Sequence, residues 1–292
     1  ASLVAAAALM VDYVMTVAVS IASGVENFVS AFPQLRPYSV ELSLAFILIL
    51  TVMNLRGVRE SGTLFAIPTY GFILSVFAML GVGFWHAANG QVPVAESANL
   101  GFTSTSPAGA ALILLVLRAF ASGCTSLTGV EAVSNGVPTF REPKARNASL
   151  TLLAMGGMSI AMMLGISVLS TWSGVHIAES LNQLTNVPHG YEQRTVLAQL
   201  SAAIFGNNSI GFFAVQGFTT LILALAANTA FNGFPILASI LAEDRFMPKQ
   251  LGRRGDRLVF SNGILILASV AAILIVALDA SVTSLIQLYL LG

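Results

Sequence analysis

Asp12 is the residue whose position most needs an explanation. It stands inside the apolar run VDYVMTVAVS, where an ionisable side chain costs at least about 2.5 kcal/mol on insertion scales. A carboxylate in such a place faces a cavity or a partner. Asp12, Thr16 and Ser20 recur every fourth residue. On a helix, successive members turn by only about 40° and stay on one face. Tyr13 lies beside that face. One carboxylate and three hydroxyls make an oxygen-rich lining, the donor set that suits hard cations. The alternative is structural: a neighbouring helix satisfies Asp12, and Thr16 and Ser20 act as hydrogen-bonding groups between helices.

A second cluster is SGCTSLTG, residues 122–129. Its two glycines and four hydroxyl-bearing residues make a poor uninterrupted helix. A break at mid-membrane would free carbonyls and half-helix ends for a substrate or ion, with Thr125 facing the same cavity as Asp12. Close packing through small residues is the competing explanation. Glu131 follows in the inner half of that segment and could carry a proton, or simply make a structural hydrogen bond. Arg118 is the one basic residue inside an expected span. It pairs with an acid, Asp12 or Glu26 being candidates, or reaches outward to the interface. The sequence holds no P-loop, HExxH, GxSxG or Cys/His cluster. His86, His176 and His189 fall in or near outer segments and read as surface residues. No catalytic residue and no cofactor is expected.

These residues need elements to position them, and the composition says of what kind. Of 292 residues, 56% are hydrophobic and 9% charged, with a mean hydropathy of +0.84. Soluble domains carry roughly 25% charged residues, so lipid must be the main solvent. Apolar stretches of spanning length, about 20 residues, predict seven to eight helices. They lie over about 2–30, 40–55, 63–87 (with Pro68 near its inner end), 108–138 around the break, 148–172, 209–240 and 261–278. The segment after Ser281 is too short to span. Residues 88–107 read as a surface connection and 173–208 as one long outer segment. The even-numbered loops hold ten Lys and Arg residues and the odd-numbered ones two. Cytoplasmic loops are the basic ones, so the first helix runs from inside to outside. Net charge is zero, which gives no argument for a nucleic-acid partner, and the single Cys124 excludes an internal disulfide. The first segment is no signal peptide, since it lacks a basic start and carries Asp12. Both ends are expected to be truncations: the chain opens without Met in an apolar run and stops within LIQLYLLG.

With these blocks in place, a family is recognisable. FASGCTSLTGVEAVSNGVP resembles the sixth-helix signature of the amino acid–polyamine–organocation superfamily, with its Gly-x-Glu element at Gly129, Val130 and Glu131. VDYVMTVAVSIASGV, GVEAVSNGVPTFREPKARNA, ALAANTAFNGFPILASILAEDRFMP and GDRLVFSNGI resemble the KimA-type potassium–proton symporters, relatives of the KUP potassium-uptake family. The resemblance implies an all-α, multi-pass membrane protein with the LeuT-like inverted-repeat fold of five plus five helices, of which residues 1–292 are about helices three to ten. It implies potassium ligands at Asp12, Tyr13, Thr16, Ser20 and Thr125, with Tyr289 as a further ion-binding residue and Glu131 in proton coupling. The family's first two helices and its cytosolic regulatory domain, which binds a cyclic dinucleotide, have no counterpart in the sequence. The reading that follows is proton-coupled potassium uptake across the plasma membrane by alternating access, with potassium and the proton as cargo. Membrane lipid is a partner, and a homodimer would form through parts outside this chain. The alternative is an amino acid or polyamine permease of the same superfamily. A membrane-embedded enzyme or a channel fits less well, because neither a nucleophile–base or metal constellation nor a repeated filter motif is visible.

Overall fold

The structure is a computed structural model that describes residues 2–57, 62–102, 109–125, 133, 136–178, 183–188, 190–252 and 260–289. Among them are nine α-helices: α1 (Ser2–Ala31), α2 (Ser39–Leu55), α3 (Gly62–Ala88), α4 (Ala110–Thr125), α5 (Lys144–Trp172), α6 (Val196–Phe205), α7 (Ile210–Glu243), α8 (Ser261–Ala277) and α9 (Val282–Tyr289). Five stretches are long and apolar enough to cross a membrane: Leu3–Ala31, Pro33–Leu55, Phe65–Ala88, Lys144–Trp172 and Ile210–Glu243. α8 and the Ala111–Ala121 part of α4 are apolar but shorter. The all-helical, multi-pass reading of the sequence holds.

The chain divides into two compact units, Ala1–Met79 with Glu192–Gly292, and Leu80–Tyr191. The first is organised around α1 and α7, which pack along much of their length. Small residues let them approach. A Cβ added at Gly24 would lie 3.5 Å from both Leu223 Cβ and the Thr220 carbonyl oxygen. Ala18 and Ala22 on α1 and Ala227, Ala230 and Ala238 on α7 are buried in the same core. In lipid, dispersion between closely packed backbones replaces the hydrophobic effect as the force between helices. Gly24 meets Thr220 and Tyr13 meets Gly233, so the two helices are antiparallel. α8 joins them through one face of a 3.6-residue period, Ile264, Leu267, Ala268, Ala271 and Ile275. α2 does the same with Ser43, Ile47, Leu50 and Thr51. At the end of this unit where α1 begins, α2 and α7 run out into Arg56, Arg245 and Lys249, which agrees with the basic-loop topology.

At the opposite end, the segment expected to be one long outer connection contains a helix. α6 is capped by the Thr195 hydroxyl, which accepts the Ala198 N–H, and it buries Ala198, Gln199, Leu200, Ser201 and Ile204. A ten-residue helix is too short to register as a span, so the hydropathy window passes over it. Thr195 also donates to Asn27 Oδ1 at 2.9 Å. Arg36 Nε stands 2.8 Å from Glu192 Oε2. These contacts tie the start of α6 to the outer ends of α1 and its following turn.

The second unit contains α4, α5 and the end of α3. Two short strands, β1 (Gly101–Phe102) and β2 (Leu184–Thr185), pair antiparallel, and Leu100, Ala178 and Leu184 form a small buried cluster beside them. Every residue from Leu112 to Leu117 on α4 is between 47% and 67% exposed. An apolar run with no side buried fits a lipid environment. α5 begins at Lys144, four residues before the expected start, because its first turn is basic and falls outside an apolar window.

Candidate ion-binding site

Asp12, Tyr13, Thr16 and Ser20 all lie on α1, each half-buried. The Tyr289 hydroxyl, at the end of α9, donates a short hydrogen bond to Asp12 Oδ1. α9 is held for this by local capping, with Ser281 Oγ accepting the Ser284 N–H at 3.3 Å, and by burial of Leu285 in the core shared with α1. A charge-assisted bond of this kind orients the carboxylate and leaves its second oxygen for another partner.

Thr16 differs from most of the described helical threonines. Thr51, Thr69, Thr151, Thr171, Thr219 and Thr220 each donate to the carbonyl four residues earlier. Thr16 Oγ1 is buried and has no hydrogen-bond partner among the described residues. Leaving a hydroxyl unsatisfied in a buried place costs about 1–3 kcal/mol, and a bound cation would supply the missing interaction. Tyr13 lays the tip of its ring against Gly233 of α7. Ser20 sits one turn beyond Thr16, in a crevice with Gly24, Phe46, Thr220 and Ala224 that has no room for water.

The opposite face of α1 is apolar. Met10, Val11, Val14 and Met15 line a groove of about 470 Å³ with Phe234, Val270, Leu274 and Leu288. The polar stripe is therefore bounded by hydrocarbon, which strengthens any ion–oxygen interaction on it. One polar pair was not singled out from the sequence: Asn54 Nδ2 on α2 donates to Asn228 Oδ1 on α7 at 2.7 Å. Two single asparagines 174 residues apart carry no spacing signal, and only the fold brings them together.

The other expected residues fall elsewhere. α4 is helical as far as Thr125, its last residue. Residues 126–132, with Glu131, lie outside the described residues, as do the Thr125 side chain and the second half of the expected break, whose first half, Ser122–Thr125, is helical. Arg118 is exposed on α4, and Asp12 accepts a hydrogen bond from Tyr289. The His176 N–H donates to Ser97 Oγ at 2.8 Å and Nδ1 lies 3.1 Å from the Ser97 carbonyl, a loop-holding role within the second unit. Among the described residues no group of His, Cys, Asp and Glu is placed to hold a metal in the manner of a metalloenzyme. The described donors along the stripe are oxygens, which suits a hard cation stripped of part of its water.

Comparison with known proteins places the chain among transporters. The whole chain, residues 1–292, matches the family model described as amino acid permease. It is also 40% identical over 291 residues to the potassium transporter KimA of Bacillus subtilis (strain 168). That match covers 99% of this chain and 45% of the relative, so the chain spans less than half of that protein's length.

Proposed function

The chain belongs to the amino acid permease family, and on that premise we propose that the complete protein takes up potassium across the plasma membrane, driven by the proton gradient. The observation that carries this reading is the Asp12–Tyr289 contact together with a Thr16 hydroxyl, one turn further along α1, that has no hydrogen-bond partner among the described residues. Asp12 balances the charge of a dehydrated cation. Tyr289 fixes the carboxylate, and Thr16, Tyr13 and Ser20 offer neutral oxygens at one-turn intervals along α1. The identity to a potassium transporter supports the choice of cargo.

On the same reading, Thr125 adds a hydroxyl from a helix broken over residues 122–129, and Glu131 carries the coupled proton. Alternating access then exposes the α1 stripe to each side in turn. On this reading the remaining helices of the inverted repeat and the contacts of a homodimer would come from outside the matched region, which is 45% of the relative's length.

The family description favours one second reading, an amino acid carrier. Such a carrier needs a cradle for an ammonium and a carboxylate group, and the two readings separate by cargo. The test is growth on limiting potassium of a strain that lacks other uptake systems and carries the complete protein. The parent supports growth. Asp12→Asn, which keeps size and hydrogen bonding but removes the charge, abolishes it at unchanged expression. Growth of the Asp12→Asn strain at the parental rate would remove the charge requirement, and with it the site.

A further inference from the structure

Among the described glycines of the first unit that stand where helices touch are Gly24, Gly71, Gly233 and Gly263, and a methyl group at Gly71 would overlap the Phe218 ring of α7. At Gly24 it would make ordinary contact, at 3.5 Å, with Leu223 and the Thr220 backbone. At Gly263 on α8 it would lie 2.9 Å from Pro235 Cα, so the backbone of α7 itself would have to move. At Gly233 on α7 its three nearest atoms would all belong to one side-chain tip: Tyr13 Cζ at 2.6 Å, and Cε1 and Oη at 2.7 Å. Gly24 and Gly263 therefore report on helix packing. Gly233 reports on the position of one phenol.

We propose that Gly233 is a positioning residue for the ion site: by lacking a Cβ, it seats the Tyr13 hydroxyl against α7 and fixes the place of that oxygen. This rests on the ion-site reading of α1 given under Proposed function. The argument is one of distance. Ordinary contact begins at 3.4 Å, so a methyl group at 233 overlaps the phenol by roughly 0.8 Å. The three nearest atoms that a methyl group at 233 would meet are all at the far end of one side chain, so the overlap falls on the phenol and not on the backbone of α1. That end also carries the hydroxyl, the side-chain oxygen by which Tyr13 would contact an ion. The fold tolerates the substitution while the hydroxyl loses its place. A site that recognises an ion by several oxygens at once responds steeply to such a shift: a misplacement of about 1 Å costs on the order of a hundredfold where geometry governs the step, and binding groups need placement within about 0.5 Å.

The test is a double-mutant cycle on the complete protein, with Gly233→Ala, Tyr13→Phe and the pair, read by uptake kinetics in vesicles and by thermal melting. Gly233→Ala is expected to raise KM about tenfold or more, with maximal rate and melting temperature close to the parent. Once the hydroxyl is gone there is nothing left to misplace, so the double variant is expected to match Tyr13→Phe alone. Gly263→Ala serves as the packing control and lowers melting temperature and yield. The proposal is overturned if Gly233→Ala keeps the parental KM, if its effect adds in full to that of Tyr13→Phe, or if it behaves like Gly263→Ala. Failure of the potassium reading looks different: the parent then accumulates an amino acid and no potassium. The cycle is in that case read on the amino acid, and the coupling between the two substitutions decides the role of Gly233 in the same way.

Discussion

Thr16→Val separates a ligand from a packing residue, because the two roles predict opposite signs. The substitution keeps the shape of the side chain and replaces its hydroxyl by a methyl group. In the ion-free protein the hydroxyl is buried and unpartnered among the described residues, a state that costs about 1–3 kcal/mol. Valine removes that cost, so the ion-free protein should be as stable as the parent or more stable, by on the order of 1 kcal/mol. Ion binding should move the other way. Interactions between a polar group and a charge are worth about 1.5–3 kcal/mol. At 1.4 kcal/mol per factor of ten, loss of this ligand should raise the KM for potassium roughly ten- to a hundredfold. Two assays on the complete protein check this: thermal melting in potassium-free buffer, and uptake against potassium concentration in vesicles. The reasoning is refuted if Thr16→Val melts clearly below the parent while keeping its KM, since Thr16 would then be a helix-packing residue whose hydroxyl has a partner.

Other consequences can be checked by simple variants. Tyr289→Phe removes the donor to Asp12 and should raise the potassium KM about tenfold or more, with expression unchanged; a parental KM would leave that contact without a role in binding. Cysteines placed singly at Arg56, Lys144 and Arg253 should resist a membrane-impermeant reagent added to intact cells, and ready labelling of all three would reverse the topology. Glu131→Gln should abolish proton-driven accumulation while potassium exchange persists, measured in vesicles at two internal pH values. Equal loss of both fluxes would mark Glu131 as structural.

What was legible in the sequence follows the physics of each signal. Spans are long, and hydropathy averages over them, so α1, α2, α3, α7 and α8 appear within a few residues of their positions. α6 was missed because ten residues average away among polar neighbours. Its N-cap Thr195 and the apolar Val196, Leu197, Leu200 and Ile204 were the available sign. The Asp12–Thr16–Ser20 stripe was legible because it is local, a matter of helical period alone. Partners of that stripe are another matter. Tyr289 lies 277 residues from Asp12, and family resemblance, not spacing, pointed to it. The seat of Tyr13 on Gly233 and the Asn54–Asn228 bond depend on how α7 packs against α1 and α2. Nor could composition tell that the Thr16 hydroxyl, unlike that of Thr51 or Thr220, declines the carbonyl one turn back.

The central claim is that an oxygen-lined stripe centred on Asp12 carries potassium, and it is tested most directly with the purified complete protein in vesicles under an imposed inward proton gradient. Labelled potassium and a panel of labelled amino acids are offered to the parent and to Asp12→Asn. The account predicts that the parent accumulates potassium, that amino acids neither enter nor compete, and that Asp12→Asn falls to the level of empty vesicles. Accumulation of an amino acid without potassium, or potassium uptake by Asp12→Asn at the parental rate, would contradict it.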